Sequence, residues 1–134
     1  MGDTDDEAPT AEYLFRVRLR VESSDPDVRL SPNRFETTLS KAATPPGEDG
    51  WLFFRDNLWR GEANDERHLC EMAEESLGVT VESVEFRELR TDPGYLDAFR
   101  EAIAADLSLF KSDSVDEVLK KYLGSSIHVR DAQE

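Results

Sequence analysis

Cysteine and lysine are scarce in this chain: its 134 residues hold one cysteine, Cys70, and four lysines. A single cysteine excludes an internal disulfide and offers no spacing for a metal site. No apolar run approaches the roughly 18–20 residues needed to span a bilayer. The N-terminus lacks a basic, then apolar, targeting signal, so the chain is read as cytoplasmic with no membrane partner. A myristoylation signal fails because its Ser/Thr position is Asp6. Also missing are a Gly-rich phosphate loop, a Gly-x-Ser-x-Gly elbow and a Cys/His nucleophile pair. Nothing implies a cofactor, and the reading leans away from an enzyme.

Carboxylate is what the chain has in excess. Against 16 Lys+Arg stand 30 Asp+Glu, a formal charge of −14 spread along the sequence. Crowded carboxylates repel one another at low salt, and a Debye length near 3 Å at about 1 M salt removes most of that penalty. The composition therefore suits a halophilic cytoplasm. The same field disfavours nucleic acid, since a binder of phosphates must present clustered cations.

Residues 1–11 are acidic, contain Pro9 and show no apolar periodicity, so they read as a disordered leader. A single domain is expected over 12–130, with a short tail over 131–134. Tyr13, Phe15, Val17, Leu19 and Val21 alternate with Leu14, Arg16, Arg18 and Arg20, the period of a strand with one buried face. Phe35, Thr37 and Leu39 mark a second strand. Trp51-Leu52-Phe53-Phe54, apolar on both faces, reads as a central third strand.

Asn64 is the expected N-cap of a first helix carrying Leu69, Met72, Ala73 and Leu77 and ended by Gly78. Val84, Phe86 and Leu89 give a fourth strand, out of step with Val79 and Val81, so a bulge or late start is needed. Asp92-Pro93 caps a second helix whose stripe is Leu96, Phe99, Ile103, Leu107 and Phe110. Its other stripe, Tyr95, Ala98, Ala102, Ala105 and Leu109, is read as the seat of the third helix, with a dimer seam as the alternative. Ser114 and Glu117 form a capping box for that helix, which Gly124 ends, and Ile127 and Val129 close the fold as a fifth strand. The order β-β-β-α-β-α-α-β predicts an α+β two-layer sandwich. Its mostly antiparallel sheet has about five strands, the first three in a meander, with two to three helices on one face.

Arg16, Arg18 and Arg20 recur at every second residue and form a guanidinium ladder on one strand face. Free, such a ladder would bind anions or RNA; the simpler arrangement pairs it with Glu36, Glu85 or Glu88 on neighbouring strands. His68 and Cys70 point some 200° apart on a helix, so they cannot share a metal ion, and no metal site is expected. Arg55-Asp56-Asn57-Leu58-Trp59-Arg60-Gly61-Glu62 is the least ordinary segment. Trp and Arg are enriched at binding hot spots, so Trp59 and Arg60, with Trp51 and Arg55, are candidates for holding a protein partner, a second copy included. Equally, Trp59 could cap the sheet and Arg60 tie down a carboxylate.

Leu58-Trp59-Arg60, with Phe53-Phe54-Arg55-Asp56-Asn57 before it and Gly124-Ser125-Ser126-Ile127-His128-Val129 near the end, resembles the LWR-salt proteins, small acidic proteins of halophilic archaea. The resemblance implies a salt-rich compartment and carries no activity, ligand or catalytic residue. The leading expectation is a non-enzymatic protein-interaction module. The alternatives are an anion or nucleic-acid binder using the arginine ladder, and a small-molecule binder or enzyme with a pocket between sheet and helices.

Overall fold

The alternation from Tyr13 forms a strand, β1 (Ala11–Arg20), with Tyr13, Phe15 and Val17 buried and Arg18 exposed. The computed structural model describes residues 11–130, so nearly all of the leader and the tail over 131–134 lie outside the described residues. β2 (Arg34–Ala42) pairs with β1 antiparallel, with Phe15 opposite Leu39 and Arg18 opposite Glu36. The third strand is different. Phe53–Asn57 is a short helix, α1, followed by a tiny hairpin of β3 (Leu58–Trp59) and β4 (Glu62–Ala63).

The expected central strand over Trp51–Phe54 is therefore corrected to a turn and a helix. The physical reason is that a four-residue apolar run does not distinguish a buried strand from a buried helix. Here the run is apolar all round because α1 is sandwiched. Phe53 faces the sheet, its ring 4.8 Å from that of Tyr13, while Phe54 faces Phe99 at 4.9 Å and Phe110 at 5.7 Å.

α2 (Glu66–Leu77) is capped by Asp65, whose side chain accepts from the His68 N–H; Asn64, the expected cap, instead reaches back to the Asp56 carbonyl. Gly78 ends α2 in the left-handed conformation. β5 (Thr80–Thr91) pairs with β1 along its whole length, with two register shifts. Glu82 and Arg87 are the extra residues, so Val81, Val84, Phe86 and Leu89 all point inward despite uneven spacing. The expected bulge lies at Glu82, between Val81 and Val84; the one at Arg87 is additional to it.

Asp92 caps α3 (Pro93–Ala105), with proline in the first turn, and a 3-10 helix over Leu107–Phe110 follows. α4 (Val115–Leu123) is capped by Ser114, and β6 (Ile127–Val129) pairs parallel with the end of β5.

The fold is α+β: among the described residues, a mixed four-stranded sheet in the order β2-β1-β5-β6 with four helices and the separate β3-β4 hairpin. The expected meander is confined to β1 and β2; β5, not the third strand, takes the other side of β1. The core joins the inner face of β1 and β5 to Phe54, Leu58, Phe99, Ile103, Phe110, Val118 and Leu123. Of the second stripe on α3 only Tyr95 is buried, while Ala98, Ala105 and Leu109 stay at the surface, so the third helix does not cover it. Among the described residues no helix is long and apolar enough to cross a membrane.

Candidate functional site

Leu58 is fully buried and anchors the β3-β4 hairpin, in which Leu58 pairs with Ala63 and Trp59 with Glu62. The two loop residues, Arg60 and Gly61, both have positive φ, 56° and 81°. This is the geometry of a two-residue hairpin turn matched to strand twist, with arginine where asparagine is usual. Two hydrogen bonds hold it there. The Arg60 N–H donates to the Lys121 carbonyl at 2.8 Å and the Gly61 N–H to the Tyr122 carbonyl at 2.9 Å. Both acceptors lie in the last turn of α4, where carbonyls have no intrahelical partner, so the turn caps that helix.

The cap is close-fitting. A Cβ on Gly61 would come within 3.0 Å of the Leu123 carbonyl oxygen, and one on Gly124 within 3.1 Å of the Arg60 carbonyl oxygen. With the backbone fixed and Leu58 buried, Trp59 has little choice of direction. Its indole meets the Tyr122 ring edge-on at 5.8 Å, carries the Arg60 guanidinium at 5.8 Å, and remains 44% exposed.

Beside the indole lies a cleft of about 570 Å³, lined by Trp59, Arg60, Lys111, Lys120, Lys121 and Glu117 among others. Three of the chain's four lysines thus gather around one tryptophan. Lys121 is committed, donating to the Phe110 carbonyl at 2.7 Å. The lysines escape sequence reasoning because Lys111 and Lys120 are brought together only by the turn between the 3-10 helix and α4. The available signal was that lysine, avoided elsewhere, recurs there.

Trp51 and Arg55 do not join this cleft. Trp51 packs edge-on against Phe99 and Phe110, both at 6.1 Å, and belongs to the aromatic core. Arg55 pairs with Asp56 at 2.9 Å and reaches the Leu109 carbonyl.

The ladder lies on the opposite, exposed face of the sheet, and each guanidinium has a carboxylate. Arg16 faces Glu85 at 3.6 Å, Arg18 faces Glu36 at 3.3 Å, and Arg20 faces Glu22 at 3.3 Å. Glu88, also considered, pairs instead with Arg90 at 3.0 Å. A groove of about 660 Å³ beside Arg16 and Arg18 is shared with Glu62, Glu66 and Glu85, so its charge is mixed. Between β2 and α2 an apolar cavity of about 180 Å³ is floored by Phe15, Leu39, Leu69 and Met72.

Cys70 faces the open edge of β5. Burial first, then the carboxylates of Glu66 and Glu74, hold its thiol above the ordinary range. Burial also raises the phenol of Tyr13, and it pushes that of Tyr95, which donates to the Thr44 carbonyl, up to about 12. His68 is exposed on α2, and no set of three or more His, Cys, Asp or Glu among the described residues is arranged to hold a metal ion.

A model of the LWR-salt protein family matches residues 9–133, nearly the whole chain. The chain belongs to the LWR-salt protein family. Within it, Leu58, Trp59 and Arg60 divide their labour: a buried anchor, an exposed indole and a left-handed turn residue that caps α4. Neither the curated proteins nor the solved structures give a match.

Proposed function

We propose that the chain is a non-enzymatic protein-interaction module of a salt-rich cytoplasm, whose contact face is centred on Trp59 and Arg60. The observation that carries this reading is an exposed indole on a clamped turn. A large side chain held in one direction loses little freedom on binding, and tryptophan and arginine are both enriched at interface hot spots. The charge of −14 supports the saline compartment. The arginine ladder gives less support to an anion groove, since its charges are already opposed by glutamates. The apolar cavity at about 180 Å³ falls below the roughly 300–1,000 Å³ of small-molecule sites.

The test is affinity capture of the full chain from a native lysate kept at molar salt, beside a Trp59→Ala/Arg60→Ala variant. A partner or self-association lost in the variant is expected. Unchanged partners and an unchanged oligomeric state would remove the contact face.

A further inference from the structure

We propose that the cleft beside Trp59 receives an acidic segment of a protein partner. Side-chain carboxylates would lie against Arg60, Lys111 and Lys120, and an apolar side chain on the indole. This deepens the interaction reading above and rests on it.

Unspent positive charge marks this cleft. Arginines on β1, β2, β5, α1 and α3 are bridged to carboxylates, as Arg18, Arg34, Arg90, Arg55 and Arg100 show. Arg60, Lys111 and Lys120 form no ion pair among the described residues; Arg29, Lys41, Lys121 and Arg130 share that state, and what sets the three apart is that they line one cleft beside an exposed indole, where Lys121 is already committed to the Phe110 carbonyl. The one acid lining the cleft, Glu117, has one carboxylate oxygen engaged, its Oε1 accepting from the Asp113 N–H at 2.8 Å, and leaves three cations to one carboxylate. A lysine in the last turn of α4 and another following the 3-10 helix do complement those helix ends. That role needs no arginine and no exposed indole opening on the same cleft.

Carboxylates fit this site better than phosphates. Phosphate sites draw on free backbone N–H groups and helix N-termini. Here the N–H groups of Arg60 and Gly61 are consumed by α4, so the cleft offers side-chain cations and no backbone cradle. A short acidic segment brings a number of charges that three cations can meet, together with an apolar side chain for the Trp59 indole.

The experiment uses the full chain carrying Trp51→Phe, which keeps a ring against Phe99 and Phe110 and leaves Trp59 as the only fluorophore of its kind. At about 1 M KCl, it is titrated with the blocked peptide Glu-Glu-Leu-Glu-Glu, its glutamine counterpart, oligouridylate and inorganic phosphate. The expected result is a saturable shift in Trp59 emission with the acidic peptide. Binding should fall about tenfold or more when Lys111→Gln and Lys120→Gln are added, with their thermal midpoint checked separately. No saturation by about 10 mM peptide, undiminished binding by the lysine variant, or tighter binding of uridylate or phosphate would each overturn the proposal. Capture separates the two readings. A partner lost by Trp59→Ala but kept by Lys111→Gln/Lys120→Gln ends the acidic-segment assignment and leaves the contact face standing; a partner kept by Trp59→Ala ends both.

Discussion

Gly124 and Arg60 are distant in sequence and in contact in space, and this pair explains why the turn holds its shape. Gly124→Ala would force a side chain onto the Arg60 carbonyl at a backbone φ of +60°. Gly61→Ala does the same to Leu123 at +81°. Each should cost about 1–3 kcal/mol, read as a lower thermal midpoint, with the loss shared by α4 because its cap is disturbed. A midpoint unchanged in both variants would contradict the clamp. The glycine ending the last helix was legible in the sequence as a terminator, and Trp59 and Arg60 stood out by residue type. That Arg60 sits in the left-handed region was not legible, since the hydrogen bonds that hold it come from a helix about sixty residues later in the sequence. Cys70 offers a second residue-scale check. Glu66→Gln keeps an acceptor for the Val84 N–H yet removes a charge that raises the thiol, so the variant should react faster with a disulfide reagent near pH 8.

At the scale of elements, the notable feature is how β5 finishes its edge. β6 covers Leu89 to Thr91, leaving the earlier part of that edge without a strand partner among the described residues. Two glutamates of α2 fill in: Glu74 accepts from the Val81 N–H at 3.0 Å and Glu66 from the Val84 N–H at 3.3 Å. Carboxylates used this way satisfy backbone donors and deter pairing with another chain. Glu74→Ala should therefore lower stability by about 0.5–1.5 kcal/mol in chemical denaturation, while Glu74→Gln, still an acceptor, stays close to the parent. Equal losses in both would show that charge, not the hydrogen bond, matters there. Most elements were legible because their signals are local: alternation for β1, Asp92-Pro93 for α3, Ser114 with Glu117 for α4. Trp51–Phe54 misled because its two buried faces come from tertiary packing, against Tyr13 on one side and Phe99 with Phe110 on the other.

For the whole molecule, charge sets the response to solvent. With −14 in 134 residues, the thermal midpoint should rise between about 0.2 and 2 M KCl as repulsion is screened, even though the exposed Arg–Glu pairs weaken. A flat or falling midpoint would remove the halophilic reading. Alkali acts through the buried phenols. Below pH 10 both folded and unfolded chains keep their tyrosine protons; above it the unfolded chain ionises first, while Tyr95 holds its proton to about 12. Stability should therefore fall as pH rises from about 10 to 12, and Tyr95→Phe should flatten that fall. The two-layer α+β plan followed from the order of elements. The place of β5 beside β1 did not, because strand order depends on contacts between Phe15 and Phe86, or Tyr13 and Leu89, that no local pattern encodes.

The central claim, that Trp59 is a contact residue presented by a rigid turn, is tested most directly by acrylamide quenching of Trp59 in the Trp51→Phe protein, free and in complex with its captured partner at molar salt. Trp59 should be quenched readily in the free protein and markedly protected in the complex. Equal quenching in the two states would contradict it.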